Sequence, residues 1–371
     1  MATISILSTG LVFRGQEDAP HLRNAYFPTV AELADGTLVA AMDIGQKMEA
    51  LDLRSFSCRS KDGGQTWSTP AKIFEPDTSR FPSTTTCRIS RTHDNKLVGI
   101  ACSVPRTRGG EVPVNPETDG FLDETLIIVR SNDGVTWTAP QVINPPLNWP
   151  VMEVAATILP LNKDRWLWPT SLFLNWEGHS PTDIKAYVAI SRDQGTTWDR
   201  TTDVFNFWSR KTFAWEQKMT RLSDGRLLNI CWCYNSQTKQ HEVNRYAISG
   251  DQGDSYSAPR DTPLHGQTCT VLGLEDNHVL AVYRRTDKRG LWGHLAKIEG
   301  ERWTPVADLA IWGSDVSALA DGKSSDLRNL HELRFGFPTL IRLKNGDVFC
   351  VFWGLEDGLT VIRWYRLKVM L

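Results

Sequence analysis

The chain has 371 residues, ample for a large core, and its 41 Lys+Arg against 43 Asp+Glu leave a net charge of −2. That balance argues against a generic nucleic-acid or anionic-membrane binder, which needs a basic excess or basic runs, and no apolar stretch approaches the roughly 18 residues of a membrane helix. The 15 Trp, with 27 Gly and 19 Pro, point to an all-β chain, because an indole is costly to place unless its ring packs and its N–H finds a partner.

In chain order, the N-terminal MATISILSTGLVFRG has no basic n-region and no sustained apolar h-region. No signal peptide is expected, and cytoplasmic residence follows. Within it, ISILSTGLVF (4–13) reads as a lone strand without a hairpin of its own. Six copies of one pattern come next, at 25–42, 85–102, 154–171, 215–232, 268–285 and 335–352. Each is an alternating strand, a turn of the D-G, N-K or N-G type, and a second β-rich strand. A third strand follows each copy. After the first four copies stand SKDGGQTW (Ser60–Trp67), SNDGVTW (Ser131–Trp137), SRDQGTTW (Ser191–Trp198) and SGDQGDSY (Ser249–Tyr256). The fifth has a degenerate version, KIEGERWTP (297–305). In this motif Asp accepts backbone N–H groups within the turn, Gly supplies a positive φ, and Trp caps the space between sheets. These residues are read as structural.

The arithmetic gives six blades of four antiparallel strands, about 62 residues each, since one such sheet cannot bury both faces alone. The expected fold is an all-β six-bladed β-propeller occupying 1–371 as a single domain. The last copy supplies three strands only, and the N-terminal strand is expected to complete its blade and hide the edge. Seven Cys without a C-x-x-C pair read as buried free thiols. No metal-ligand spacing is present, so no cofactor is expected.

The octapeptide matches the Asp-box, or BNR repeat. Six blades with boxes in consecutive blades resemble the sialidase superfamily over nearly the whole chain. That propeller carries sialidases, exo-arabinanases and some uronate lyases, so the reaction has to be read from the site. In such propellers the innermost strand of each blade starts at the upper rim and the Asp-boxes lie on the opposite face. The upper pocket is then lined by first-strand starts, second-strand ends and the loops after them, of which 103–125 and 171–185 are the longest.

Among the first-strand starts, Glu216 in WEQKMTRLSDGRLL resembles the sialidase Glu that polarises a tyrosine nucleophile. Glu153, between Met152 and Val154 at the head of an apolar strand, should be partly desolvated. Its raised pKa would suit a general acid. Several sialidase positions differ. Tyr26 stands where the F-R-I-P motif has Arg, LLNICWCYN lacks its Arg, and Phe337 stands where the nucleophilic tyrosine would lie. Arg284 or Arg285 alone is left of the three-arginine clamp. Asp52 is a match to the family's acid/base Asp, with Asp43 competing. Strict sialidase activity is therefore expected to be weak or absent. Two Glu on adjacent blades resemble the exo-arabinanase branch more, where such a pair performs retaining hydrolysis.

The leading reading is an exo-acting glycoside hydrolase for a small glycoside or oligosaccharide. Glu216 and Glu153 are its catalytic pair, with Tyr26, Trp215, Trp232, His265 and Arg284 or Arg285 shaping the pocket. One alternative is a uronate-type lyase using His265 or His331, the latter beside Arg334. The other is a non-catalytic carbohydrate-binding propeller. The expected partner is a small carbohydrate, with no nucleic acid and no membrane.

Overall fold

A computed structural model describes residues 2–110, 112–314 and 333–371. Its strands form six sheets of four. Blade 1 runs Asn24–Glu32, Leu38–Gly45, Arg54–Ser60 and Ala71–Lys72 from the axis outward. Blade 2 follows with Ser83–Arg91, Leu97–Pro105, Thr125–Ser131 and Gln141–Val142. Blade 3 holds Leu159–Asn162, Arg165–Ser171, Ala186–Ser191 and Arg200–Phe205. In blade 4 the order is Thr212–Arg221, Leu227–Asn235, Gln240–Ser249 and Arg260–Asp261. Blade 5 has Gly266–Gly273, His278–Arg285, Leu291–Glu299 and Arg302–Trp312. Blade 6 has Phe335–Arg342, Val348–Glu356 and Leu359–Met370, with the N-terminal Thr3–Arg14 outermost.

The expected closure is present. Thr3–Arg14 pairs antiparallel with the last strand from Thr3 opposite Met370 to Arg14 opposite Val361. The four Asp-box segments make the turns after the third strands, on the face opposite the first-strand starts. In SRDQGTTW, Asp193 accepts the Thr197 N–H at 2.9 Å and the Thr197 hydroxyl at 2.7 Å. The Ser191 hydroxyl receives the Gly195 N–H at 2.8 Å, and the Trp198 indole N–H donates to the Gly195 carbonyl at 3.1 Å. Asp62 and Asp251 bind Thr66 and Ser255 in the same way. The shorter SNDGVTW closes on Val135 and Thr136 instead. All seven cysteines are buried and free.

Blade 3 departs from its expected outline. The inner strand was expected from residue 154, but the ladder starts at Leu159. Above it the segment is irregular because side chains take the carbonyls. Thr170 Oγ1 donates to Glu153 O at 2.8 Å, the Lys218 ammonium to Ala155 O, and the Trp168 indole to Ala156 O at 3.2 Å.

The inner strands of blades 1, 4, 5 and 6 share a bulge at the same level. Their registers break between Tyr26 and Thr29, Trp215 and Lys218, Gln267 and Thr270, and Gly336 and Thr339. In each, one non-glycine residue takes a left-handed conformation: Phe27 (φ 53°), Glu216 (48°), Thr268 (50°) and Phe337 (53°). Such a residue costs on the order of 1–3 kcal/mol, which the surrounding sheet must offset. In blades 1 and 6 the next residue is Pro28 or Pro338, which has no N–H for a ladder, and a bulge is where a strand tolerates it.

Candidate active site

The bulges turn side chains toward the axis, and in blade 4 the residue so placed is a carboxylate. The Glu216 backbone N–H donates to Glu153 Oε2 at 2.7 Å. The two acids named from adjacent first-strand starts are therefore neighbours where blades 3 and 4 meet. Both are only partly open to solvent. Burial, followed by the nearby Glu216 charge, pushes Glu153 up to about 8. Glu216 is also raised by burial, but Lys218, Arg284, the Trp232 indole and Arg88 all favour its charged form. The Trp232 N–H faces Glu216 without closing a hydrogen bond of good geometry, and Trp232 Nε1 and Glu216 Oε2 are both left without a partner. Burial and the neighbouring carboxyl thus favour the protonated form of Glu153, while the cations around Glu216 oppose its own upward shift. Environments that drive two acids apart in this way are how one site provides an acid and a base together.

The remaining sequence candidates divide by position. Arg284 faces inward, donating to the Phe335 carbonyl at 2.9 Å and to the Gln267 side chain. Gln267 in turn meets His241 Nε2 at 2.8 Å. Arg285 points the other way. It binds Asp287 at 2.7 Å, lies 3.8 Å from Asp308 and covers the Trp292 ring, so its charge is spent on the blade itself. Trp215 is buried, stacked on Phe213 and Tyr234 and edge-on to Trp232. Tyr26 packs edge-on to Trp353. Burial pushes its phenol up to about 12, against a bond from the Met48 N–H, so it is not a ready nucleophile. Asp43 is wholly buried in an ion pair with Arg88 at 3.1 Å, and accepts Thr86 at 2.6 Å and Ser55 at 2.8 Å. That makes it an interblade strut rather than a pocket acid. Asp52 is half-buried in the loop after the second strand of blade 1, where Oδ1 accepts the Gln46 N–H at 3.1 Å. His265 and Arg334 are exposed at the rim. His331 lies outside the described residues.

Phe337, at the expected nucleophile position, is a buried ring between two cations. Lys218 Nζ lies 4.1 Å from its centroid and the Arg88 guanidinium 4.8 Å, and Phe27 meets it edge-on. Neither Lys218 nor Arg88 was a sequence candidate, because both sit deeper than the rim. Two further half-buried acids, Glu124 and Glu49, lie outside the expected set of site residues. Burial pushes Glu124 up to about 8, opposed by Cys102 and Arg106, and Glu49 up to about 7, opposed by Arg106. Among the described residues, no group of three or more His, Cys, Asp or Glu could hold a metal ion, and no helix is long and apolar enough to cross a membrane.

Six four-stranded blades with Asp-box turns on one face define a propeller of the sialidase superfamily. The family model described as a BNR repeat-like domain matches residues 111–350, and the chain belongs to that family. Among solved structures, a Dyadobacter fermentans protein of unknown function is similar at a TM-score of 0.74 and 18% identity, covering 99% of both chains. The NanB sialidase of Streptococcus pneumoniae is similar at 0.68 and 12%, covering 97% of this chain and 70% of that one. The intramolecular trans-sialidase of Ruminococcus gnavus is similar at 0.65 and 11%, covering 95% and 96%. No curated protein matches the chain. At these identities the solved structures speak to the fold alone.

Proposed function

We propose that the protein is an exo-acting glycoside hydrolase for a small glycoside or oligosaccharide, with Glu153 as general acid and Glu216 as the charged carboxylate. The observation that carries this reading is the 2.7 Å contact from the Glu216 backbone N–H to the Glu153 carboxyl, which brings the two acids of blades 3 and 4 close enough for their charges to interact. A glycosidic bond breaks through an oxocarbenium-like transition state, which needs a proton on the leaving oxygen and negative charge near the anomeric carbon. Glu153, pushed up to about 8, keeps its proton at neutral pH. Lys218, Arg284 and Arg88 favour the charged form of Glu216 against its burial.

The test is a panel of aryl glycosides, including a sialic acid glycoside, run with Glu153→Gln and Glu216→Gln. Each substitution keeps size and hydrogen bonding but removes the acid. Each should lower turnover on the accepted glycoside by about 10²–10⁴-fold in a protein that still folds. The sialic acid glycoside should be turned over poorly, since Phe337 offers no hydroxyl. Full activity in both variants would end this reading. Glycan binding without turnover by the unsubstituted protein would make the propeller a carbohydrate-binding one.

A further inference from the structure

Blade 4 differs from its bulged neighbours at two positions, not one. The left-handed residue is Phe27, Thr268 or Phe337 elsewhere and Glu216 here. Two residues on, blades 1, 5 and 6 place Thr29, Thr270 and Thr339, while blade 4 places Lys218. Lys218 is buried, and with the three threonines it lines an axial cavity of ≈ 70 Å³ below the carboxyl pair.

Two reciprocal bonds join its strand to the irregular head of blade 3. Glu153 accepts from the backbone of residue 216, and Lys218 donates to the backbone of residue 155. The charged and titratable groups around Lys218 come from three blades besides its own. Glu153 lies on blade 3, Arg88 on blade 2 and the Cys269 thiol on blade 5, with Glu216 on its own strand. Blade 6 contributes the Phe337 ring. Arg88 is occupied by Asp43 at 3.1 Å, and Arg284 by the Phe335 carbonyl and Gln267. Lys218, like Arg284, donates to neutral acceptors, and of the two it is the one bonded to the segment that carries Glu153.

We propose that Lys218 is the positioning residue of the carboxyl pair: held on the Ala155 carbonyl and the Phe337 ring, it pins the segment that carries Glu153 and keeps negative charge on Glu216. This rests on the hydrolase reading, but the electrostatic part can be measured without turnover. A cation beside a carboxyl favours its ionised form, so removing it moves the carboxyl titrations upward.

The experiment uses the full chain labelled at the glutamate carboxyl carbons, with Glu153→Gln and Glu216→Gln assigning the two signals by loss. Lys218→Gln keeps a donor for Ala155 and removes the charge. Lys218→Arg keeps the charge and serves as the rescue. The Gln variant should raise the Glu216 midpoint by about one unit or more, and the Arg variant should return it most of the way. On an accepted glycoside, the acid limb of the kcat profile should shift upward in step, with KM less affected. Should Lys218→Gln not fold, Lys218→Met tests the same loss of charge. Unmoved midpoints in a folded, uncharged variant overturn the assignment. Moved midpoints together with an unsubstituted protein that cleaves no glycoside would sink the hydrolase reading and leave the electrostatic role of Lys218 standing.

Discussion

Glu153 shows how one buried acid couples chemistry to stability. Its folded pKa of about 8 lies above the ordinary 4.5, so between those values the folded state binds a proton that the unfolded state has lost. Stability from this group is full below about 4.5 and falls as pH rises toward 8. Glu124 and Glu49, also raised, act in the same direction. The melting temperature of the free protein should therefore drop between pH 5 and 8, and Glu153→Gln should drop less across the same range. Equal slopes would mean that Glu153 is ionised in the fold, and with that the general-acid role would go. Activity has the same sign: it should decline as pH passes about 8, where burial makes both the Glu153 carboxyl and the Lys218 ammonium lose their protons. The sequence revealed part of this. A carboxylate between Met152 and Val154 announced its desolvation, a first-strand start selected Glu216, and second-strand ends selected Arg284 and Trp232. Arg88 lies midway along a regular strand and Lys218 two residues past a bulge. Their depth is set by rings from blades 1 and 6 across the axis, a long-range fact that no local pattern carries.

At the scale of elements, the period of the Asp-box was legible because each turn is built from its own residues. Ser191, Asp193, Gly195, Thr197 and Trp198 close on one another, so the fold is written locally there. The head of blade 3 is the opposite case. VAATI has the composition of a strand, yet Thr170, Lys218 and Trp168 capture its carbonyls from other segments, and the ladder begins only at Leu159. The two cases predict different responses to substitution. Asp193→Ala leaves the Thr197 N–H and hydroxyl without their acceptor and loosens Trp198, which packs edge-on to Trp168. It should cost about 1–3 kcal/mol of stability, read as a lower melting temperature, while turnover per folded molecule stays unchanged. A loss of turnover without a loss of stability would move the Asp-box from scaffold to site.

For the whole molecule, the question is what holds the ring shut. Thr3–Arg14 is the outermost strand of blade 6, but its last residues reach inward. Val12 and Phe13 are buried in the same cluster as Phe56, Trp353 and Trp364, and Thr9 donates to the Trp364 carbonyl at 2.7 Å. Fully burying two such side chains is worth about 1.5–3 kcal/mol each, before any ladder bond is counted. Against a total stability of about 5–15 kcal/mol, that is a large share from the first thirteen residues. Their removal also leaves Leu359–Met370 as a long unpaired edge, which invites pairing with another chain. A chain lacking residues 1–13 should therefore aggregate or melt far below the parent, and the loss should extend to every blade if the propeller melts as one cooperative unit. Hydrogen exchange separates the two scales of failure. Protection lost throughout the ring means that closure stabilises the whole, whereas protection lost only in blades 5, 6 and 1 means that the blades are energetically separable. A truncated chain that melts within about 2 °C of the parent would show that the N-terminal strand decorates a ring already closed without it.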